Sequence, residues 1–215
     1  MKQILRLNIL DTDICVMQAD CSEQELLDLC AEKNIATDDL SGIKAESRRK
    51  EKLCTRLILA KMLNGAAEIG HKDSGAPYLK GRNEQISVSH SGSFAAVALS
   101  SNPGTGIDIE IIKDRILKVR ERVFSESELN TMPADDAESN LIGWTSKEAL
   151  FKAIPEGDID FREHLHLQIP ETVKRNEIIR HTASETVSPR HDSFDMATII
   201  TGEFVLTLAK TKNSI

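Results

Sequence analysis

Apolar and polar residues alternate over residues 3–10 and run apolar again over 13–19, with Asp11, Thr12 and Asp13 between them, which predicts an opening β-hairpin. The period then changes. Ser22 followed by Glu25 has the form of a helix-capping box, and Leu26, Leu27, Leu29 and Cys30 give a short amphipathic helix ending near Asn34. A longer helix is predicted from Ala45 to Leu63, its stripe made of Leu53, Leu57, Ala60 and Met62 or Leu63, closed by Asn64 and Gly65. Lys72 to Pro77 reads as a loop. Ile86–Val88 and Phe94–Leu99 read as strands joined by a turn, Ser89 to Ser93.

Asn102, Pro103 and Gly104 are the clearest breaker cluster, and they set a boundary between two halves, residues 1–102 and 103–215. Beyond it, the pattern predicts a strand around Asp108, a helix over 115–123, and a short helix opened by Ser125 and Glu128 before Pro133. A long helix follows over 135–153, with Leu141, Ile142, Leu150 and Phe151 apolar and Pro155 and Gly157 ending it. Strands are expected from Arg162 onward, closing with a hairpin of 195–201 and 203–209 about Gly202; residues 171–192 follow no single period.

Composition narrows the setting. A chain of 215 residues with 40% hydrophobic and 28% charged residues is ordinary for a globular protein, and 4% aromatics leaves the core to Leu, Ile, Val and Ala. The net charge of -7 argues against general nucleic-acid binding, so an acidic partner needs a local basic patch. Arg48, Arg49, Lys50, Lys52, Arg56 and Lys61 supply one within fourteen residues, although such a run is commonly a solvated helix face. Cys15, Cys21, Cys30 and Cys54 show no C-x-x-C spacing, as for buried thiols in a reducing compartment. Arg6 and Asp11 interrupt the apolar start, and no segment has the length of a membrane span, so a cytoplasmic protein without membrane contact is expected.

The chemistry concentrates in Gly106-Ile107-Asp108-Ile109-Glu110 and, some forty residues later, in Glu148 and Lys152. Side chains alternate along a strand, so Asp108 and Glu110 share a face, their α-carbons roughly 6 to 7 Å apart. Two ionised carboxylates at that separation repel by roughly 2 to 3 kcal/mol at an effective dielectric near 20, and a cation relieves them. Oxygen ligands without His or Cys point to Mg²⁺ or another hard ion. An isolated Asp-Ile-Glu is more often the solvated face of an edge strand. Its company alters that balance: Trp144, Glu148 and Lys152 stand at i, i+4 and i+8 on one helical stripe, and the single tryptophan there argues against full exposure. Ser89, His90 and Ser91 offer hydroxyls and an imidazole that could meet phosphate oxygens, a weak signal on its own.

In order and spacing, Ser89–Ser91, Gly106–Glu110, Arg122–Glu128 and Trp144–Lys152 form the series S-H-S, G-I-D-I-E, R-V-F-S-x-x-E and W-x-x-K-E-A-x-x-K. Over roughly residues 46–153 the chain resembles the 4'-phosphopantetheinyl transferases of the Sfp type. The resemblance implies an α/β (α+β) fold of two similar halves related by a pseudo-twofold, each a small antiparallel sheet packed on helices. It implies a monomer that moves phosphopantetheine from coenzyme A to a serine of an acyl or peptidyl carrier protein and releases adenosine 3',5'-bisphosphate. It further implies Mg²⁺ held by Asp108, Glu110 and Glu148, with Glu148 or Lys152 acting on the serine hydroxyl and Lys152 facing the diphosphate. Arg56, with Ser89 and His90, would contact the coenzyme A phosphates, and Arg49 is a further candidate for that patch.

One departure stands out. Where the family has Gly, a basic residue and Pro against the nucleotide, this chain has Gly75, Ala76 and Pro77, so the cation is missing unless Lys72 or Lys80 supplies it. A charge-assisted contact of that kind is worth about 1.5 to 3 kcal/mol. Two rivals therefore stand beside the transferase: a degenerate module that holds coenzyme A or a carrier protein without transfer, and a Mg²⁺-dependent nucleotide pyrophosphatase.

Overall fold

The opening hairpin pairs β1 (Lys2–Ile9) with β2 (Thr12–Gln18) across a two-residue turn in which Leu10 and Asp11 have φ of 52° and 54°. Turns with both central residues at positive φ match the twist of a hairpin. The turn therefore falls one residue earlier than the polar run predicts, and Thr12 and Asp13 join the strand. A computed structural model describes residues 1–154, 158–169 and 174–212, and the chain divides into two units, Met1–Ser101 and Asn102–Ile215.

In the first unit, α1 (Glu23–Glu32) starts at the expected box, with Ser22 and Glu25 capping each other's backbone N–H. Next comes α2 (Glu46–Leu63), which ends at left-handed Asn64, whose N–H donates to the Ala60 carbonyl. β3 (Ile69–His71) and β4 (Pro77–Leu79) flank the predicted 72–77 loop; three residues are too few to show an alternation in sequence. β5 (Gln85–Ser91) and β6 (Phe94–Ser100) are longer than predicted. Ser91 pairs with Phe94, so the turn shrinks to Gly92 and Ser93, and Ser89 and His90 sit in a strand rather than a turn. The antiparallel order is β1-β2-β6-β5. Leu53, Leu57 and Ile58 of α2 bury against Cys15, Met17 and Val97 of this sheet.

The second unit opens with β7 (Thr105–Ile111), followed by a 3-10 turn over Asp114–Lys118 and α3 (Arg120–Val123), which together replace the single predicted helix. α4 (Glu126–Thr131) has the predicted Ser125–Glu128 box, and α5 (Ala137–Ala153) is capped by Asp136. The expected stops of α5, Pro155 and Gly157, lie outside the described residues. α6 (Phe161–His164) precedes β8 (Leu165–Gln168) where only strand was expected, because the Asp160 carboxylate caps the N–H groups of Arg162 and Glu163. β9 (Ile178–Glu185), β10 (Ser193–Ile200) and β11 (Phe204–Thr211) complete an antiparallel sheet of order β7-β11-β10-β9-β8, and the last two strands form the predicted closing hairpin.

α5 lies on β7 and β11 of this sheet. Gly106 permits the contact: a β-carbon there would collide with the Ala149 carbonyl and the Ala153 nitrogen. Leu150 is buried, but Phe151, predicted on the apolar stripe, is 41% exposed and rests its ring on Phe161, the ring centroids 5.5 Å apart. Each unit thus has the predicted α+β class. Among the described residues no helix is long and apolar enough to cross a membrane.

Candidate functional site

β7 buries Ile107 and Ile109 on one face and turns Asp108 and Glu110 to the other, toward α5. The chains run in opposite senses, so contacts repeat along them in order. Ala149 and Ala153 sit over Gly106, Lys152 reaches Asp108, and Trp144 reaches Glu110. Lys152 Nζ donates to Asp108 Oδ1 at 2.7 Å and to the Ile107 carbonyl at 3.1 Å, while Trp144 Nε1 donates to Glu110 Oε1 at 3.3 Å. Glu148 lies one helical turn before Lys152 and one after Trp144.

The charges of this group act on one another. Burial pushes the Glu148 carboxyl up, the Asp108 and Glu110 carboxylates push it the same way, and Lys152 opposes them, leaving a pKa of about 7. The Asp108 and Glu110 charges are therefore close enough to act on Glu148. Their oxygens do not yet surround a common point: among the described residues, no three His, Cys, Asp or Glu side chains are placed to hold a metal ion. Asp108 is engaged by the ammonium and Glu110 by the indole. The donor set itself, three carboxylates with no nitrogen or sulfur, suits a hard divalent cation. The Lys152 ammonium on Asp108 already occupies the place of a cation.

Two residues within the quoted motifs, given no role by sequence, lock the other side of α5. Lys147 is completely buried and donates to Glu128 Oε2 at 2.7 Å, to the Val123 carbonyl at 3.0 Å and to the Phe161 carbonyl at 2.7 Å. Burial lowers its pKa against the pull of Glu128. Glu128 accepts in addition from Ser125 N and Leu167 N, so the pair ties α4, α5 and β8 together. Its signal in sequence was a lysine among apolar helix positions, which marks a buried partner rather than a solvated face. A run of buried hydroxyls was missed altogether: Thr145, Thr198 and Thr207, with His181 at its end.

The first unit carries a cavity of 390 Å³ lined by Asp39, Arg48, Glu51, Lys52, Thr55, Arg56, Ile69, His71, Gly75, Pro77, Val88 and His90. Here Arg56, His90, Gly75 and Pro77 of the predicted site come together. Ser89 does not join them, since it points to the opposite face of β5 from Val88 and His90. Ala76, Lys72 and Lys80 also fall outside the lining, and Lys80 pairs with Glu68. Two cations of α2, Lys52 and Arg48, do line the cavity. Arg49 is spent elsewhere, on Glu23 and on the Ile43 and Lys44 carbonyls.

The cations of the cavity are already partly matched. Arg56 donates to the Ala36 carbonyl at 2.7 Å and to Asp39 Oδ2 at 2.6 Å, a hydrogen bond that holds the Asp39 carboxyl below its usual range. Arg48 pairs with Glu51 at 2.7 Å. Thr55 Oγ1 donates to the Glu51 carbonyl and lies 3.0 Å from His90 Nε2, which therefore presents its proton to the hydroxyl. Burial, then the Lys52 charge, lowers the pKa of His71. Asp39 could not have been picked out in advance: it lies in a short turn seventeen positions before Arg56, with no periodic relation to α2.

Comparison with known proteins bears on the second unit above all. Residues 104–209 match the model of the 4'-phosphopantetheinyl transferase superfamily, ACPS. The chain is 33% identical over 112 residues to 4'-phosphopantetheinyl transferase AcpT of Salmonella typhimurium strain LT2, a stretch that is 49% of this chain and 58% of that protein. It is likewise 33% identical over 112 residues to the AcpT of Salmonella typhi, with the same coverage of 49% and 58%. The chain thus spans little more than half the length of these curated relatives. The resemblance drawn from the motifs is borne out at the level of the superfamily.

Proposed function

We propose that this chain is a Mg²⁺-dependent transferase of the superfamily matched by its second unit, moving 4'-phosphopantetheine from coenzyme A to a serine of an acyl or peptidyl carrier protein. The observation that carries the proposal is the convergence of Asp108, Glu110, Glu148 and Lys152 between β7 and α5, inside the matched stretch. A pure binding module has no evident need of three interacting acids and a lysine between one strand and one helix.

In the reaction, the serine oxygen bonds to the phosphorus that carries pantetheine. The bond from that phosphorus to the bridging diphosphate oxygen breaks, and adenosine 3',5'-bisphosphate leaves with the electron pair. Asp108, Glu110 and Glu148 would hold the metal, which when bound neutralises diphosphate charge and polarises the phosphoryl group. With Asp108 holding a cation, the Lys152 ammonium would be free to face the diphosphate. The serine proton needs an acceptor, and a carboxyl raised to about 7 is matched to a general base working near neutrality. Glu148 as base and Glu148 as ligand are competing uses of one group; Lys152 is the other candidate base.

The cavity of the first unit is a candidate for binding coenzyme A phosphates. Lys52, Arg56, His71 and His90 would meet the coenzyme A phosphates, the 3'-phosphate in particular, with Gly75 and Pro77 shaping the wall. Four free thiols, three of them buried, agree with a cytoplasmic setting. Docking of the acidic carrier partner would rest on a local basic or apolar surface, since the net charge of -7 offers no general attraction.

The rival, a module that holds coenzyme A or a carrier without transfer, draws support from Arg56 being tied to Asp39 and from Ala76 in place of a cation. Purified protein incubated with coenzyme A, Mg²⁺ and a panel of apo-carrier proteins separates the two by mass spectrometry. A phosphopantetheine mass gain on a carrier is expected; its absence on every carrier favours the rival. Cleavage of coenzyme A without any carrier would point to the pyrophosphatase instead.

A further inference from the structure

Beside Asp108, on the same face of the sheet, a line of buried polar side chains runs across the strands. Thr207 of β11 is the register partner of Asp108, and Thr198 of β10 is the partner of Thr207. Thr145 Oγ1 of α5 lies 2.7 Å from Thr207 Oγ1, Thr207 Oγ1 lies 2.8 Å from Thr198 Oγ1, and Thr198 Oγ1 lies 3.0 Å from His181 Nε2 of β9. All three threonines are fully buried, and His181 is 7% exposed.

Counting protons fixes the direction of this chain. Each hydroxyl donates once. Thr145 approaches the Leu141 carbonyl at 2.9 Å, a bond only its own proton can make. Thr207 must then donate to Thr145, Thr198 to Thr207, and His181 Nε2–H to Thr198. The imidazole is thus neutral, with its bare Nδ1 meeting no partner among the described residues. The opposite direction would lose the Leu141 bond and bury an N–H at Nδ1 with no acceptor, a worse outcome by about 1 to 3 kcal/mol.

Apolar contacts between a helix and a sheet can slide; a directional run of buried hydrogen bonds cannot, because any shift strands several polar groups at once. Thr145 stands next to Trp144 and three residues before Glu148, so whatever fixes Thr145 along the sheet also fixes Glu148 opposite Asp108. We propose that the Thr145–Thr207–Thr198–His181 chain is a register lock, with Thr207 the positioning residue that sets the separation of Glu148 from Asp108. The inference rests on the transferase reading of that site.

The test compares Thr207→Val, which keeps the shape and removes the hydroxyl, with Thr207→Ser, which restores it. Thr207→Val is expected to lower kcat by about tenfold to a hundredfold, the scale of a small misplacement of reacting groups. KM for coenzyme A should stay unchanged. With Mg²⁺ alone and no substrate, the metal-dependent rise in Tm should shrink in Thr207→Val and return in Thr207→Ser. If Thr207→Val fails to fold, Thr198→Val, one hydrogen bond further from Asp108, is expected to show the same signature. A folded valine variant with wild-type kcat and the wild-type Mg²⁺ response overturns the lock, as does a serine variant no better than valine. Absence of transfer by the unaltered chain would sink the transferase reading instead.

Discussion

Both units keep a reactive charge in check with an internal ion pair, but in opposite surroundings. In the first, Arg56 holds an Asp39 carboxylate that is 62% exposed at the mouth of an open cavity. In the second, Lys152 holds an Asp108 carboxylate that is 5% exposed beneath α5. The Arg56 side chain is 12% exposed, but a carboxylate that stays in water contributes only about 0 to 1 kcal/mol and yields easily to a competing anion. A pair whose carboxylate is buried cannot simply lose its cation, since that strands the carboxylate charge at about 3 to 5 kcal/mol. The first arrangement suits a place where phosphate exchanges; the second suits one where an incoming cation must replace an outgoing one.

The sharpest way to break the comparison is Asp108→Ala. Loss of a buried carboxylate at the proposed metal position should reduce transfer by about a thousandfold, on the scale of removing a key electrostatic group. The fold should survive, because the Lys152 left behind is 26% exposed and acts on Glu148, and because the change relieves repulsion on Glu148, whose pKa should drop from about 7. Carrier mass gain and an NMR titration check both, and near-normal turnover refutes the metal assignment.

Next comes the pH dependence of stability without metal. The Glu148 pKa is raised from 4.5 to about 7, so its contribution is full below 4.5 and is lost as pH rises through about 7. His181 is lowered from 6.5 to about 4 by burial, so its contribution is full above 6.5 and is lost as pH falls toward 4. Between 4.5 and 6.5 the two trends oppose each other, and the unaltered protein should show a shallow profile. Glu148→Gln should unmask a rise in stability with pH of about 3 kcal/mol, and His181→Gln a fall of about 2 kcal/mol, the smaller figure allowing for the partial exposure of Glu148. Denaturant titrations across that range decide it; parallel profiles for all three proteins would show the two sites do not titrate as described.

Smaller effects sharpen the open side of the comparison. Arg56→Ala should weaken coenzyme A binding by about tenfold, with less effect on dephospho-coenzyme A. Equal losses by calorimetry would remove Arg56 from the 3'-phosphate. Asp39→Asn should strengthen coenzyme A binding by about twofold to fivefold, since only an exposed pair is relieved. No gain would mean that Asp39 does not compete for the site.

What could be read in advance follows the same division. Asp108, Glu110, Trp144, Glu148 and Lys152 were legible because strand and helix periods place residues on faces without knowledge of the rest of the fold. The capping boxes at Ser22 and Ser125 were legible because each closes within three residues. Ser89 was misplaced because a two-residue turn at Gly92 leaves it in β5, on the side away from His90. The Arg56–Asp39 pair and the threonine chain could not be read, since they join residues nine to sixty-two positions apart whose meeting depends on loop paths and strand order.

Gly106 is the cheapest part of the second unit and among the least replaceable. With no side chain there, the backbone of β7 touches the backbone of α5 directly, at Ala149 and Ala153. One methyl group would act as a shim under the C-terminal end of the helix, prising Lys152 and Glu148 off the strand together. A surveyor of tolerated substitutions would therefore find a position with no chemistry of its own behaving as though it were part of the reaction.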